Sequence, residues 1–170
     1  VNKQATKPNR VYVALGSNIK PEQNIKEAVR LLASRCKLLA VSRVYQTKPV
    51  GKTDQPDFLN AAALIETGLG AADLKAQVLR DIEQTLGRVR SADKNAPRTI
   101  DLDITLFNDE VLNIGRRRIP DPDLLLYPHI AVPMAELAPN YVHPESGQTL
   151  QEIAGSMSSA RLALRPDVEL

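Results

Sequence analysis

Between Arg98 and Phe107 the chain alternates with a period of two: Ile100, Leu102, Ile104 and Leu106 fall on one side, Asp101 and Asp103 on the other. This is the pattern of a half-buried strand, with four aliphatics facing a core and two carboxylates projecting together from the opposite face. Upstream, Arg10 to Leu15 reads as another strand, closed by the turn Gly16-Ser17-Asn18. Pro21 suits a first helical position, and Ile25, Ala28, Val29 and Leu32 recur at helical spacing, predicting a helix over Pro21 to Ser34.

Alternation resumes from Lys37 to Thr47, predicting one long strand, and again from Phe58 to Thr67. The connection between them, Lys48 to Pro56, holds two prolines and a glycine and is long for a compact domain, as functional loops often are. After Gly68-Leu69-Gly70, the stripe Leu74, Val78, Leu79, Ile82 and Leu86 predicts a helix over Ala71 to Leu86, ended by Gly87. Beyond the aspartate strand, Asn108-Asp109 turns into Glu110 to Ile114, and Gly115 precedes the triplet Arg116-Arg117-Arg118. Prolines at 120 and 122 exclude helix until about Ile130; short helices follow from His129 or Ile130 to Leu137 and over Leu150 to Gly155, then a polar tail. Strand, helix, strand, strand, helix, strand is the ferredoxin-like split βαβ order, so the expected fold is an α+β three-layer sandwich, a mainly antiparallel sheet with helices on both faces. Residues 1–170 fit one domain, with Val1 to Asn9, polar and without period, expected as a flexible leader.

With 43% hydrophobic and 25% charged residues the composition is that of a globular chain, which sets aside disorder and coiled coil. A net charge of +2 argues against a surface that coats nucleic acid. The single cysteine, Cys36, has apolar neighbours and is expected as a buried thiol rather than a nucleophile; a reducing, cytoplasmic setting fits. No apolar run reaches the length of a membrane span.

At strand spacing the Cβ atoms of Asp101 and Asp103 lie roughly 6 to 7 Å apart, a span that oxygen-seeking cations can bridge. Arg88, Arg90, Lys94 and Arg98 precede them, separated by the turn-like Ser91 to Pro97. Cations beside paired carboxylates suit magnesium polyphosphate, with Asp101 and Asp103 on the metal and Arg88 and Arg98 on phosphate. Neither a P-loop nor a Gly-x-Gly-x-x-Gly turn is present, so a nucleotide has to be held by side chains. Asn60 stands among apolar strand neighbours, where its amide either satisfies backbone groups or reads a heterocycle edge.

Gly87-Arg88-Val89-Arg90, Pro97-Arg98-Thr99-Ile100-Asp101-Leu102-Asp103, Ala14-Leu15-Gly16-Ser17-Asn18 and Asp54-Gln55-Pro56-Asp57-Phe58-Leu59-Asn60 closely resemble the 6-hydroxymethyl-7,8-dihydropterin pyrophosphokinase family, over about Val11 to Leu150. The resemblance implies transfer of diphosphate from ATP to the hydroxymethyl group of the dihydropterin, with release of AMP, in folate biosynthesis. It also implies two magnesium ions on Asp101 and Asp103, and ATP phosphates on Arg88 and Arg98. Glu83, Ile104 and Arg116 would line the nucleotide side, and Thr47, Val50, Gly51, Phe58 and Asn60 the pterin side. The loops Lys48 to Pro56 and Ser91 to Pro97 are expected to close over the substrates, and a monomer is expected.

Three positions depart from the family pattern. Where the family commonly has Ile/Val-Pro-His-Pro, this chain has Ile119-Pro120-Asp121-Pro122, so Asp121 is expected to meet the nucleotide's metal or an arginine. Asn95 stands where a tryptophan is common, and His129, beside Tyr127, where an aromatic commonly stacks on the pterin. These departures leave open a divergent paralogue acting on a related pterin, or a pterin-binding protein without catalysis. An RNA-binding module on the same sheet would need exposed aromatics, which at 4% of residues with no tryptophan this chain does not supply.

Overall fold

In a computed structural model, which describes residues 6–170, one six-stranded antiparallel sheet is sandwiched between two layers of helices. The strands are β1 (Asn9–Ser17), β2 (Lys37–Val41), β3 (Tyr45–Thr47), β4 (Phe58–Thr67) and β5 (Asp101–Phe107), joined near the C-terminus by β8 (Ala163–Leu164). Their order, β5-β1-β4-β3-β8 with β2 also on β4, is the expected ferredoxin-like arrangement. A separate hairpin pairs β6 (Leu112–Ile114) with β7 (Arg117–Ile119) around Gly115, whose φ of 59° turns the chain.

Val11, Val13 and Leu15 of β1 face α1 (Pro21–Arg35) and the helical stretch 71–85, with Ile25, Leu32, Leu74, Leu79 and Ile82 filling the layer. That stretch is α2 (Ala71–Asp73) and α3 (Arg80–Thr85) joined by a π turn, Leu74–Leu79. On the other face, Tyr12, Ala62 and Leu64 pack beneath α4 (Pro128–Leu137) and α5 (Leu150–Gly155) through Ala131, Met134, Leu150 and Ile153. Among the described residues no helix is long and apolar enough to cross a membrane.

Several expectations are corrected. The strand over Lys37 to Thr47 is two, because Ser42 leaves the ladder: its N–H donates to Ala62 O and its Oγ accepts from Ala62 N, at 2.9 and 2.8 Å. Leu106 does not share a face with Ile100, Leu102 and Ile104. Val13 pairs with Ile104 and Tyr12 with Leu106, so Thr105 is a bulge that rotates Leu106 into the opposite core layer and Phe107 into the first. Proline does not exclude all helix before Ile130: Pro122–Leu125 is a 3-10 turn and α4 begins at Pro128, both with proline in the first turn where no N–H is required. The tail is tied down, with β8 on β3, Arg165 bonded to Glu22 and Asp167, and Val168 buried. The leader falls largely outside the described residues, whereas Asn9 opens β1 and donates to Leu69 O at 2.9 Å. Cys36 closes α1, half-buried, and burial pushes its thiol up.

Helix α5 is only six residues long and is started by a reciprocal cap: Thr149 Oγ1 accepts from Glu152 N, and Thr149 N donates to Glu152 Oε2. Thr149→Ala is expected to cost about 1 kcal/mol. In a thermal melt this is a fall of roughly 2 to 4 °C.

Candidate active site

Strand β5 lies at the sheet edge, with its first residues beyond the cover of α4. Asp101 pairs with Gly16 and Asp103 with Ala14, so both carboxylates project over small residues. The bulge at Thr105 divides the strand: carboxylates toward the open end, core residues toward the other.

The turn Gly16-Ser17-Asn18 does more than end β1. Asn18, 2% exposed, accepts from Arg98 N through Oδ1 at 2.8 Å, and its backbone N–H donates to Arg98 O. Its Nδ2 donates to Gln55 Oε1 at 2.7 Å and to Pro56 O. Gln55 Nε2 in turn donates to Asn95 O at 2.7 Å. One buried amide therefore clips both loops, 48–57 and 86–100, to the end of β1.

These loops and the start of α4 enclose a cleft of about 290 Å³ lined by Thr47, Val50, Phe58, Asn60, Asn95, Arg98, Asp101, Asp103, Tyr127 and His129. All of these but Asn95, nine residues, are sequence-predicted site residues, and they meet in one place. Asn60, in the cleft wall, donates to Thr47 Oγ1 at 2.9 Å and to Tyr45 O. Tyr127 and His129 present tilted rings 5.3 Å apart, and burial pushes the His129 imidazole down, so it stays neutral near pH 7. Arg98 lies over the Phe58 ring and holds Asp101 Oδ2 at 2.7 Å.

A second cleft, of about 220 Å³, is lined by Lys75, Arg80, Asp103, Ile104, Ile114, Arg116, Arg117 and Ile119. It is strongly cationic, with Asp103 its one carboxylate. Ile104 and Arg116 are thus brought to this side.

Glu83 lines neither cleft. Only 2% exposed, it lies behind β5, where Oε1 accepts from Leu102 N at 2.9 Å and Oε2 pairs with Arg90 at 2.6 Å. Gly51 has a φ of 83°, and a Cβ there would stand 2.9 Å from Asn95 Nδ2, so it sets the approach of the two loops. Arg88 is nearly buried with Nε 3.8 Å from Asp101 Oδ1 and no hydrogen bond on that nitrogen. Asp121, 8% exposed, is placed under β7, where it meets an arginine: Arg117 Nη2 lies 3.3 Å from its Oδ2.

Two cations on Asp103 were not foreseen. Lys75, on the π turn, bonds Leu102 O and lies 3.3 Å from Asp103 Oδ1; Arg117 bonds the same oxygen. Burial would push the Asp103 carboxyl up, but the charges of Lys75 and Arg117 outweigh it and hold the group below the usual carboxylate range. Among the described residues no cluster of three or more His, Cys, Asp or Glu could hold a metal alone. Two carboxylates completed by phosphate oxygens and water are nevertheless the usual donor set for magnesium, and the unbonded Arg88 Nε is suited to a phosphate oxygen.

A carboxylate pair at the junction of a half-apolar cleft and a cationic one, on a ferredoxin-like sheet, is the arrangement a transferase needs to carry a polyphosphate group to a flat acceptor. The family model for 7,8-dihydro-6-hydroxymethylpterin-pyrophosphokinase matches residues 12–139. The 2-amino-4-hydroxy-6-hydroxymethyldihydropteridine pyrophosphokinase of Pseudomonas aeruginosa is 40% identical over 149 residues, 85% of this chain and 89% of that one. Its Bacillus subtilis counterpart is 39% identical over 132 residues, 76% of this chain and 78% of that one. A crystal structure of Plasmodium falciparum HPPK-DHPS matches with a TM-score of 0.71 at 15% identity, over 90% of this chain and 46% of that one. The chain therefore spans under half of that solved chain, and the likeness to it concerns the fold. The chain belongs to the 7,8-dihydro-6-hydroxymethylpterin-pyrophosphokinase family, ATP-dependent diphosphotransferases of folate biosynthesis.

Proposed function

We propose that this chain transfers diphosphate from ATP to 6-hydroxymethyl-7,8-dihydropterin in the first cleft, with the nucleotide in the second and its phosphates reaching past the shared Asp103 toward the arginines beside Asp101. The observation that carries this is that Asp103 lines both clefts. Asp101 and Asp103 would hold two magnesium ions, which would supply neutralisation of the phosphate charge. Arg88 and Arg98 hold phosphate oxygens, and Arg116 meets the nucleotide at the rim of the second cleft. Thr47, Val50, Phe58 and Asn60 hold the pterin, with the neutral His129 ring and Tyr127 against its face. The acceptor hydroxyl faces Asp101, the carboxylate best placed to take its proton. Loops 48–56 and 91–97, already linked through Gln55 and Asn95, exclude water from the transfer. The chain works as a monomer and single domain.

The test is AMP release from magnesium and ATP, with and without 6-hydroxymethyl-7,8-dihydropterin. Pterin-dependent AMP is the expected result; tight pterin binding without AMP would leave a binding protein in its place.

Gly51→Ala tests the loop contact. A side chain at positive φ costs about 1 kcal/mol in this exposed turn. The pterin KM is expected to rise about fivefold with kcat nearly unchanged. An unaltered KM would remove Gly51 from the pterin side.

A further inference from the structure

Asp103 carries two cations that differ in how firmly they are held. Lys75 is fixed: its ammonium is bonded to Leu102 O, lies 3.3 Å from Asp103 Oδ1 and 3.6 Å from Glu83 Oε1, and its side chain is 10% exposed. Arg117 is not. Its side chain is 54% exposed, and its guanidinium spans two carboxylates, with Nη1 on Asp103 Oδ1 and Nη2 3.3 Å from Asp121 Oδ2. Asp121 itself is locked in place: Oδ1 accepts from Asp123 N at 3.0 Å, and its own N–H donates to Thr105 O at 2.9 Å. The arginine is therefore tethered at Asp121 and free to leave Asp103.

We propose that Arg117 is an exchangeable counter-ion, neutralising Asp103 until a divalent cation takes that carboxylate and then turning to the nucleotide phosphates while Asp121 keeps it within reach. This rests on the assignment of Asp103 as a metal ligand. An ammonium and a guanidinium already share Asp103 Oδ1, and a divalent ion on the same carboxylate would stand within a few ångström of both, where like charges repel strongly. Lys75 has three oxygens around it and nowhere to go. Arg117 borders the second cleft, whose charged walls other than Asp103 itself, namely Lys75, Arg80 and Arg116, are positive. The anion that enters there, a polyphosphate, is what a displaced guanidinium can meet, and its planar fork matches phosphate oxygens.

Two consequences follow from the geometry. A metal ion alone must compete with Arg117 for Asp103, whereas a metal ion arriving with nucleotide releases Arg117 into a favourable contact. Metal and nucleotide thereby strengthen each other's binding. Asp121 acts through Arg117: it is a positioning residue and needs no metal of its own.

The test uses the full chain and two binding measurements: Mn2+ alone, followed by electron paramagnetic resonance, and the non-transferable α,β-methylene analogue of ATP with magnesium, followed by calorimetry. Arg117→Met is expected to bind Mn2+ alone several-fold more tightly and the nucleotide analogue about tenfold more weakly, the loss of one charge-assisted phosphate contact. Asp121→Asn is expected to bind Mn2+ no more tightly than the native chain, yet to weaken the analogue. Arg117→Lys is expected to fold in any case and to recover part of the analogue's affinity. A purely structural role for Arg117 would not move the two affinities in opposite directions. Unchanged affinities in Arg117→Met, or in Arg117→Lys should Arg117→Met fail to fold, would overturn the proposal. Asp103→Ala separates this from the site assignment. If it binds the magnesium analogue complex as the native chain does, the metal assignment falls; if it loses that binding while Arg117→Met keeps it, only the role of Arg117 falls.

Discussion

Asp101→Ala and Asp103→Ala are each expected to lower pterin-dependent AMP release about a thousandfold or more, the largest change any single side chain here should produce. The several kcal/mol that a metal ion contributes to stabilising charge in phosphoryl transfer convert to a loss of that order. The fold should survive, because the neighbours have other partners. Without Asp101, Arg98 keeps Lys94 O at 2.6 Å; without Asp103, Lys75 keeps Leu102 O and Glu83. Circular dichroism should therefore show native secondary structure in both variants. Near-normal turnover in both would sink the metal assignment.

Glu83→Ala is expected to act the other way, on stability first. Glu83 is a buried carboxylate holding three things at once: the Leu102 N–H, the Arg90 guanidinium and, at 3.6 Å, the Lys75 ammonium. Removing it leaves the Leu102 N–H without its acceptor and Arg90 without its carboxylate, and takes one of two counter-charges from the buried Lys75, which keeps Asp103 and Leu102 O; together this costs about 3 kcal/mol. For a chain of this size the melting temperature should fall by roughly 6 to 12 °C. Glu83→Gln keeps an acceptor for Leu102 and should lose about half as much. A residue that merely touched the nucleotide would instead leave the melting temperature alone and raise the ATP KM.

The periodicity of Ile100, Leu102 and Ile104 was enough to put Asp101 and Asp103 on one face, because alternation holds wherever a strand is regular. It failed at Leu106, since a bulge inserts one residue and leaves no mark in the pattern of apolar and polar positions. Thr47, Phe58 and Asn60 stand on paired strands whose register is fixed, and the structure sets them in one cleft with Arg98, which comes from the loop before β5. Glu83, carried over by resemblance, turned out to brace β5 from behind. Lys75 was hidden because a lysine on a helix is ordinarily a solvated charge; only the π turn and its placement against the strand edge show otherwise. In the triplet 116–118 nothing in the residues themselves distinguishes three arginines. The hairpin turn at Gly115 decides it, leaving Arg116 at the tip, aiming Arg117 at Asp103 and sending Arg118 to Glu145.

Strand β5 has a side that no other strand covers, yet its backbone is not left open there. The Leu102 N–H is taken by Glu83 and its C=O by Lys75, while Thr105 O accepts from Asp121 N. An uncovered strand ordinarily offers such groups as a template on which a second chain can add itself, the first step toward domain swapping and aggregation. Here the residues that hold the carboxylates in place take up three of those groups. The arrangement that readies the protein for its substrates also occupies backbone groups on its exposed sheet edge that an added strand would need.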